Sequence, residues 1–260
     1  MVNDGSSRTR QTEERRMHSM VEQFSRIALL YGEEQLNQIQ SMKVIVFGCG
    51  GVGSAATEAL IRSGVQHIAL VDYDVIAPSN LNRQLHTTTH NIHHKKIEAL
   101  KERCLSINPN ATIDLFDTFV DEEVAEKLIP HYDAVIDAVD TVSAKEAIIV
   151  HALKFKKIIV SSMGMGNRFD PTQVICTTLN KTTYDPLSKM MRYRLRLRGV
   201  YDKIPVIFSL ETPIKQTHQV SESTVRKQAF PPASAIFVPV SAGLAAAYSV
   251  IEQRLKGDSQ

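Results

Sequence analysis

Cysteine is scarce in this chain, and its three cysteines, Cys49, Cys104 and Cys176, lie far apart. No two have the C-x-x-C spacing of a structural zinc site, and the count does not suggest a disulfide framework. A reducing compartment is the default, and a cytoplasmic location is expected. Charge of one sign is also lacking, with a formal net charge of +2 over 260 residues. That is too small to argue for nucleic acid by itself, and no DNA partner is expected. No long hydrophobic run occurs. The last apolar stretch, Ala235 to Ile251, is interrupted by Pro239 and Gly243 and falls short of the roughly 20 residues of a membrane span. It reads as a buried helix over 233–256, packed on the core or on a second subunit. The N-terminus has no apolar h-region and mixes acids with arginines, so residues 1–20 read as a flexible extension rather than a targeting peptide.

Apolar residues make up 43% and charged residues 22%, ordinary for a globular protein able to bury a sizeable core. Residues 21–40 have helical spacing. Short apolar runs at 43–47, 67–72, 112–118, 133–138 and 157–162 read as strands, with amphipathic helices at about 52–63, 93–107, 121–130 and 141–155 between them. That alternation predicts an α/β fold, a mostly parallel Rossmann-like sheet with helices on both faces. After 163 the rhythm breaks into a glycine loop, a strand near "TQVICTTL" and a basic stretch ambiguous between helix and strand. A polar, turn-rich segment follows over 211–232. Residues 21–260 are therefore expected to form one nucleotide-binding domain, with 163–232 as a substrate-binding elaboration.

The stretch "VIVFGCGGVGSAATEAL" sets Gly48, Gly50 and Gly53, with Gly51 between them, in a turn from strand to helix. Such glycines let a backbone approach phosphate at a helix N-terminus, where free amides and the helix dipole favour anions. Asp72 ends the next strand, where a ribose-binding acid belongs in dinucleotide folds. Taken alone, the turn fits NAD, any other nucleotide phosphate, or merely close helix–strand packing. The following residues, "LVDYDVIAPSNLNRQLH", place Asp72, Asp74, Asn80 and Arg83 within twelve positions, and Lys95 and Lys96 follow. A pyrophosphate needs few cations, whereas a triphosphate calls for Arg and Lys. In "VIDAVDTVSAK", Asp137 and Asp140 fall at the carboxyl end of the fourth strand, the edge where ligands sit in open α/β sheets. Asp140 reads either as a Mg²⁺ ligand or as a helix N-cap.

Together GCGGVG, VDYD, SNLNRQ, a lysine thirteen residues past that arginine, and DAVD resemble the ubiquitin-activating-enzyme-like superfamily over about residues 21–165. Its members adenylate carboxylates with Mg-ATP. The resemblance implies that Asp72 binds the ribose hydroxyls, that Asn80, Arg83 and Lys96 hold phosphates, and that Asp140 binds Mg²⁺. It further implies that Arg26 reaches across a dimer to the γ-phosphate.

One branch of that superfamily activates the C-terminus of a ubiquitin-like sulfur carrier and usually carries two zinc-binding C-x-x-C pairs, which are lacking here. Cys176 reads as buried filler rather than as a nucleophile. "RIALLYGEEQL", "NRQLH", "INPN", "FDPTQV", "YDPLSKMMRYRLR" and "VIFSLETP" instead resemble the tRNA threonylcarbamoyladenosine dehydratase branch. Met163 and Met165 depart from it, where smaller residues are expected. That branch is homodimeric and adenylates the threonyl carboxylate of a modified adenosine next to the anticodon. A neighbouring nitrogen then closes the ring and expels AMP, with no enzyme thiol required. A sulfur-transfer or carrier-protein partner is also compatible with the resemblance.

Between Lys181 and Lys203 there are seven Lys or Arg against two acids, Asp185 and Asp202. Arg192, Arg194, Arg196 and Arg198 are candidate RNA contacts, since Lys and Arg on phosphates supply most non-specific RNA affinity. The alternative is a solvated charged face. Arg168 and Lys215 are further candidates for that patch. His86, His90, His93 and His94 lack the acid and thiol partners of a metal site and read more readily as phosphate or RNA contacts.

Overall fold

The computed structural model describes residues 22–217 and 231–257. The expected N-terminal extension and most of the turn-rich segment lie outside the described residues. Helices α1 (Ser25–Tyr31) and α2 (Glu33–Ser41) replace the single helix expected over 21–40, and Gly32, at φ +90°, makes the break. Next come β1 (Lys43–Phe47), α3 (Gly51–Arg62), β2 (His67–Val71), α4 (Lys96–Ile107), β3 (Thr112–Phe116), α5 (Glu122–Leu128), β4 (Ala134–Asp137), α6 (Val142–Lys154) and β5 (Ile158–Ser162). Each falls within three residues of its expected bounds, because β1, β2, β4 and β5 are short apolar runs buried on both faces.

The second half adds β6 (Val174–Thr178), α7 (Pro186–Leu197), β7 (Pro205–Ser209) and α8 (Phe237–Gly257). The basic stretch is thus a helix, capped by Asp185, whose carboxylate accepts from Ser188 N (2.9 Å). It ends on Gly199, at φ +71°, where Val200 N donates back to Leu195 O. The sheet order is β3-β2-β1-β4-β5-β7-β6, parallel except for the β6–β7 pair.

Alternation along the strands feeds two cores. Val44, Val46, Ile68 and Leu70 pack with α3, α4 and α8, while Ile45, Phe47, Ala69 and Val71 pack with α5, α6 and α7. Gly243 explains one break in the last apolar stretch. A Cβ there would lie 2.4 Å from Val52 O and 2.6 Å from Ala55 Cβ, so glycine lets α8 lie directly on α3. Among the described residues, no helix is long and apolar enough to cross a membrane.

Candidate active site

The strand order reverses between β1 and β4, and a crevice opens at their carboxyl ends, as open α/β sheets require. It is a cleft of about 590 Å³, within the usual range for ligand pockets. Its wall includes Gly48, Gly50 and Gly51 from the turn, Asp72 and Asp74 beyond β2, and Asn80, Arg83, Lys96 and Asp140. The structure therefore brings together nearly every residue expected at an ATP site.

The glycines divide by role. Gly48 has φ +88° and lies so close to Ala138 O that a Cβ would sit 2.8 Å away, while a Cβ on Gly53 would meet Gly48 O at 1.7 Å. Both are required by the turn itself. At Gly50 a Cβ would meet nothing within 4 Å. Its bareness has no packing reason, and the open space over the turn and the α3 N-terminus suits a phosphate.

Asp72 is held by the turn, accepting from Cys49 N (2.7 Å) through Oδ2 and from Asp74 N (2.8 Å) through Oδ1. That ties the carboxylate at the end of β2 to the glycine turn. Lys96 Nζ lies 2.6 Å from Asp74 Oδ2. Arg83 donates to Ser79 O (2.8 Å) and to Asn82 Oδ1 (3.0 Å), with no carboxylate bound among the described residues, and burial weakens its hold on its proton. Asn80 is buried, and its Oδ1 accepts from Ala77 N (3.0 Å), which shapes the turn carrying Arg83. Arg26 sits on the exposed side of α1, outside the cleft wall of its own chain.

Asp140 is exposed in the loop after β4. Helix α6 starts at Val142 with Thr141 as N-cap and no side-chain cap bond, so Asp140 is not a cap. Asp137 departs from the sequence reading. It is fully buried and paired with the equally buried Lys145 at 2.8 Å, and Lys145 also donates to Ser162 O (2.9 Å). Desolvation raises the Asp137 carboxyl, against the pull of Lys145 and Ser161. This pair fastens α6 to the strand ends behind the cleft. Lys145 was not anticipated, although "DAVDTVSAK" sets it eight residues past a strand-end aspartate.

Met163 and Met165 are buried and line the cleft, filling the glycine loop after β5. Arg168, expected on a basic surface, is buried. Its guanidinium donates to Gly164 O, Gly166 O (3.2 Å), Glu211 O (3.0 Å) and Asp185 (3.3 Å), so it braces the cleft-lining loop against the α7 cap. Cys176 also departs from expectation. It is exposed on the edge strand β6, because only one side of that strand is paired. Burial pushes the Cys49 and Cys104 thiols up, Cys104 to about 12, and the partial cover of Cys176 with the nearby Glu252 charge raises it too, so none is an activated nucleophile. Among the described residues, no group of three or more His, Cys, Asp and Glu is placed to hold a metal.

Three of the four arginines along α7 and its C-cap are engaged by the protein. Arg192 donates to Leu179 O (3.2 Å) and Thr182 O (3.1 Å), Arg194 pairs with Glu146 (2.7 Å), and Arg198 with Glu122 (2.6 Å). Arg196 is exposed.

A family model described as the ThiF family matches residues 24–248. The chain belongs to that family. It is 39% identical over 244 residues to the tRNA threonylcarbamoyladenosine dehydratase of Bacillus subtilis (strain 168), spanning 91% of this chain and 96% of the relative. The solved E. coli tRNA N6-threonylcarbamoyladenosine dehydratase in complex with ATP superposes with a TM-score of 0.84 at 31% identity, over 93% of this chain and 97% of that one. A molybdopterin-synthase adenylyltransferase of Haemophilus influenzae is 32% identical over 162 residues, spanning 62% of this chain and 65% of the relative. The dehydratase likeness runs nearly end to end, whereas the adenylyltransferase likeness stops short of the full chain.

Proposed function

We propose that this ThiF-family chain is an ATP-dependent dehydratase of threonylcarbamoyladenosine in tRNA. A threonyl carboxylate oxygen attacks the α-phosphorus of ATP and pyrophosphate leaves. A neighbouring nitrogen of the same nucleoside then attacks the activated carbonyl carbon, and AMP leaves. The observation that carries the reading is the arrangement of Arg83, Lys96 and Asp140 around the bare Gly50 turn in one cleft.

In this reading the turn amides and the α3 N-terminus receive phosphate, Asp72 takes the ribose hydroxyls, and Arg83, Lys96 and Asn80 orient the triphosphate. Asp140 fits Mg²⁺ held by one carboxylate and the nucleotide phosphates, the usual mode for that ion. When bound, Mg²⁺ supplies positive charge against the departing pyrophosphate. Among the arginines of the α7 stretch, Arg196 is the best placed for RNA phosphate, and Arg192 keeps a charge that no carboxylate among the described residues cancels.

A second copy of the chain completes the reading. Leu29 and Leu30 on α1 and Leu244 and Tyr248 on α8 are exposed apolar residues. Tyr31, at the end of α1, packs against the core cluster to which α8 contributes Val250 and Ile251, so the two helices present neighbouring surface. Arg26 lies on the same short α1, in reach of a partner's cleft if this face is the dimer contact. Pyrophosphate release with threonylcarbamoyl-tRNA, followed by nucleoside mass analysis, tests the function. The expected product has lost one water, and an unchanged nucleoside despite ATP binding overturns the reading.

A further inference from the structure

Helix α7 carries a second surface that the arginine count does not reveal. Its core side is Ser188, Met191 and Leu195, spaced three and four apart and buried. Lys189, Met190, Tyr193, Arg196 and Leu197 fall on the opposite side at helical spacing and are exposed. Tyr193 and Leu197 are 60% and 65% exposed, and Tyr201, just past the Gly199 stop, is 78% exposed. Tyr184 stands at the other end, 76% exposed and with φ +54°, a backbone state that an aromatic residue rarely occupies. Met190, Tyr193 and Leu197 and the two exposed cations Lys189 and Arg196 therefore share one face of α7, and Tyr184 and Tyr201 flank it along the chain.

The line begins at the cleft. Leu187, in the first turn of α7, is part of the cleft wall, and a Cβ on Gly164 of that wall would lie 2.7 Å from Asp185 Oδ1. A helix of 12 residues runs about 18 Å from there. The charge along it is positive, because Asp185 is buried in its cap and ion pair and Asp202 is the one exposed acid between Lys181 and Lys203. Exposed tyrosines interleaved with Lys and Arg suit unpaired nucleotides, whose bases stack on rings while phosphates meet cations. A duplex offers no free base faces, and an acidic peptide would leave the tyrosines unused.

We propose that Tyr193 and Tyr201, flanked by Lys189 and Arg196, form a stacking platform for the unpaired nucleotides adjoining the one that enters the cleft. This rests on the tRNA reading above and specifies its docking track. Fluorescence anisotropy of a labelled anticodon stem-loop RNA, and of the same strand annealed to its complement, tests it. The unsubstituted protein is expected to hold the stem-loop more tightly than the duplex. Tyr193→Ala and Tyr201→Ala should each weaken stem-loop binding about tenfold, the loss carried by one stacked base, and Tyr193→Phe should not. Arg196→Ala should make the salt dependence shallower by about one unit, whereas Tyr193→Ala leaves the slope unchanged. ATP affinity and the thermal melt should be unaltered in all of them. Stem-loop binding by Tyr193→Ala equal to that of the unsubstituted protein overturns the platform and leaves the dehydratase reading standing. A change in sedimentation of Tyr193→Ala without RNA also overturns it, assigning the stripe to a protein contact. Failure of the unsubstituted protein to bind the stem-loop while binding ATP overturns both readings together.

Discussion

Lys96 Nζ sits 2.6 Å from Asp74 Oδ2, and the two partners are unequal: the lysine side chain is 9% exposed and the aspartate 48%. The cation expected to meet a triphosphate is therefore stored against a carboxylate that water can still reach. In the proposed reading, phosphate arriving in the cleft takes over the lysine while Asp74 turns to solvent.

The asymmetry predicts opposite outcomes for the two deletions. Lys96→Met leaves a hydrated aspartate, so the melt should hardly move while pyrophosphate release falls by about a hundredfold or more, as for loss of a charged transition-state contact. Asp74→Asn leaves a nearly buried ammonium with only a neutral partner and should cost about 1–3 kcal/mol of stability. Denaturant unfolding alongside the rate assay checks both. Equal stability losses would show that burial does not set the difference.

Asp137 and Lys145 predict a purely structural effect. Both are fully buried, so Asp137→Asn strands an ammonium that also leans on Ser162 O. Breaking a buried pair from one side costs about 3–5 kcal/mol. Urea unfolding should show that loss, and the double variant Asp137→Leu/Lys145→Met should recover most of it. No recovery would mean that the pair positions the strand end by hydrogen bonding rather than by charge balance.

How much of this was legible depends on sequence distance. The strands β1, β2, β4 and β5 are apolar runs that can only be buried, and the cleft residues sit at fixed offsets from strand ends, so both could be read directly. Strand β7 was not, since the basic stretch before it reads equally as helix or strand and Pro205–Ser209 follows the polar turn that ends α7. The four arginines of the α7 stretch looked equivalent, but Arg194 and Arg198 meet Glu146 and Glu122, which lie 48 and 76 residues earlier on other helices. Arg168 likewise finds Asp185 only once the chain has folded. Cys176 looked buried because its neighbours are apolar, and only the strand order shows that β6 is an edge.

His86 predicts a pH dependence. It is buried with neither ring nitrogen bonded to the protein, and burial, then the nearby Lys96 charge, lowers its pKa to about 4. In the unfolded chain it titrates near ~6.5. Between those values the unfolded state binds more protons, so stability falls as pH drops from about 6.5 and levels off below about 4. The loss is bounded at about 3 kcal/mol. His86→Phe should flatten that part of the stability–pH curve, and an unchanged slope would assign it to other groups.

Asp140→Asn separates chemistry from architecture most cleanly. The residue is exposed, and α6 has Thr141 as its N-cap, so the helix start does not depend on the carboxylate. An amide keeps the shape and loses the charge needed to hold a hard cation against a triphosphate. Losing a metal-borne stabilisation of the transition state costs several kcal/mol, so turnover should fall roughly a thousandfold. The melt should stay cooperative, because an amide keeps the side chain's shape and accepting oxygen and α6 has its own N-cap residue. Titrating Mg²⁺ adds a second readout, because a weakened ion site needs more metal to reach half-maximal rate. Near-normal turnover at low Mg²⁺ would remove Asp140 from the site and leave the bare Gly50 turn, Arg83 and Lys96 to bind a nucleotide whose chemistry lies elsewhere.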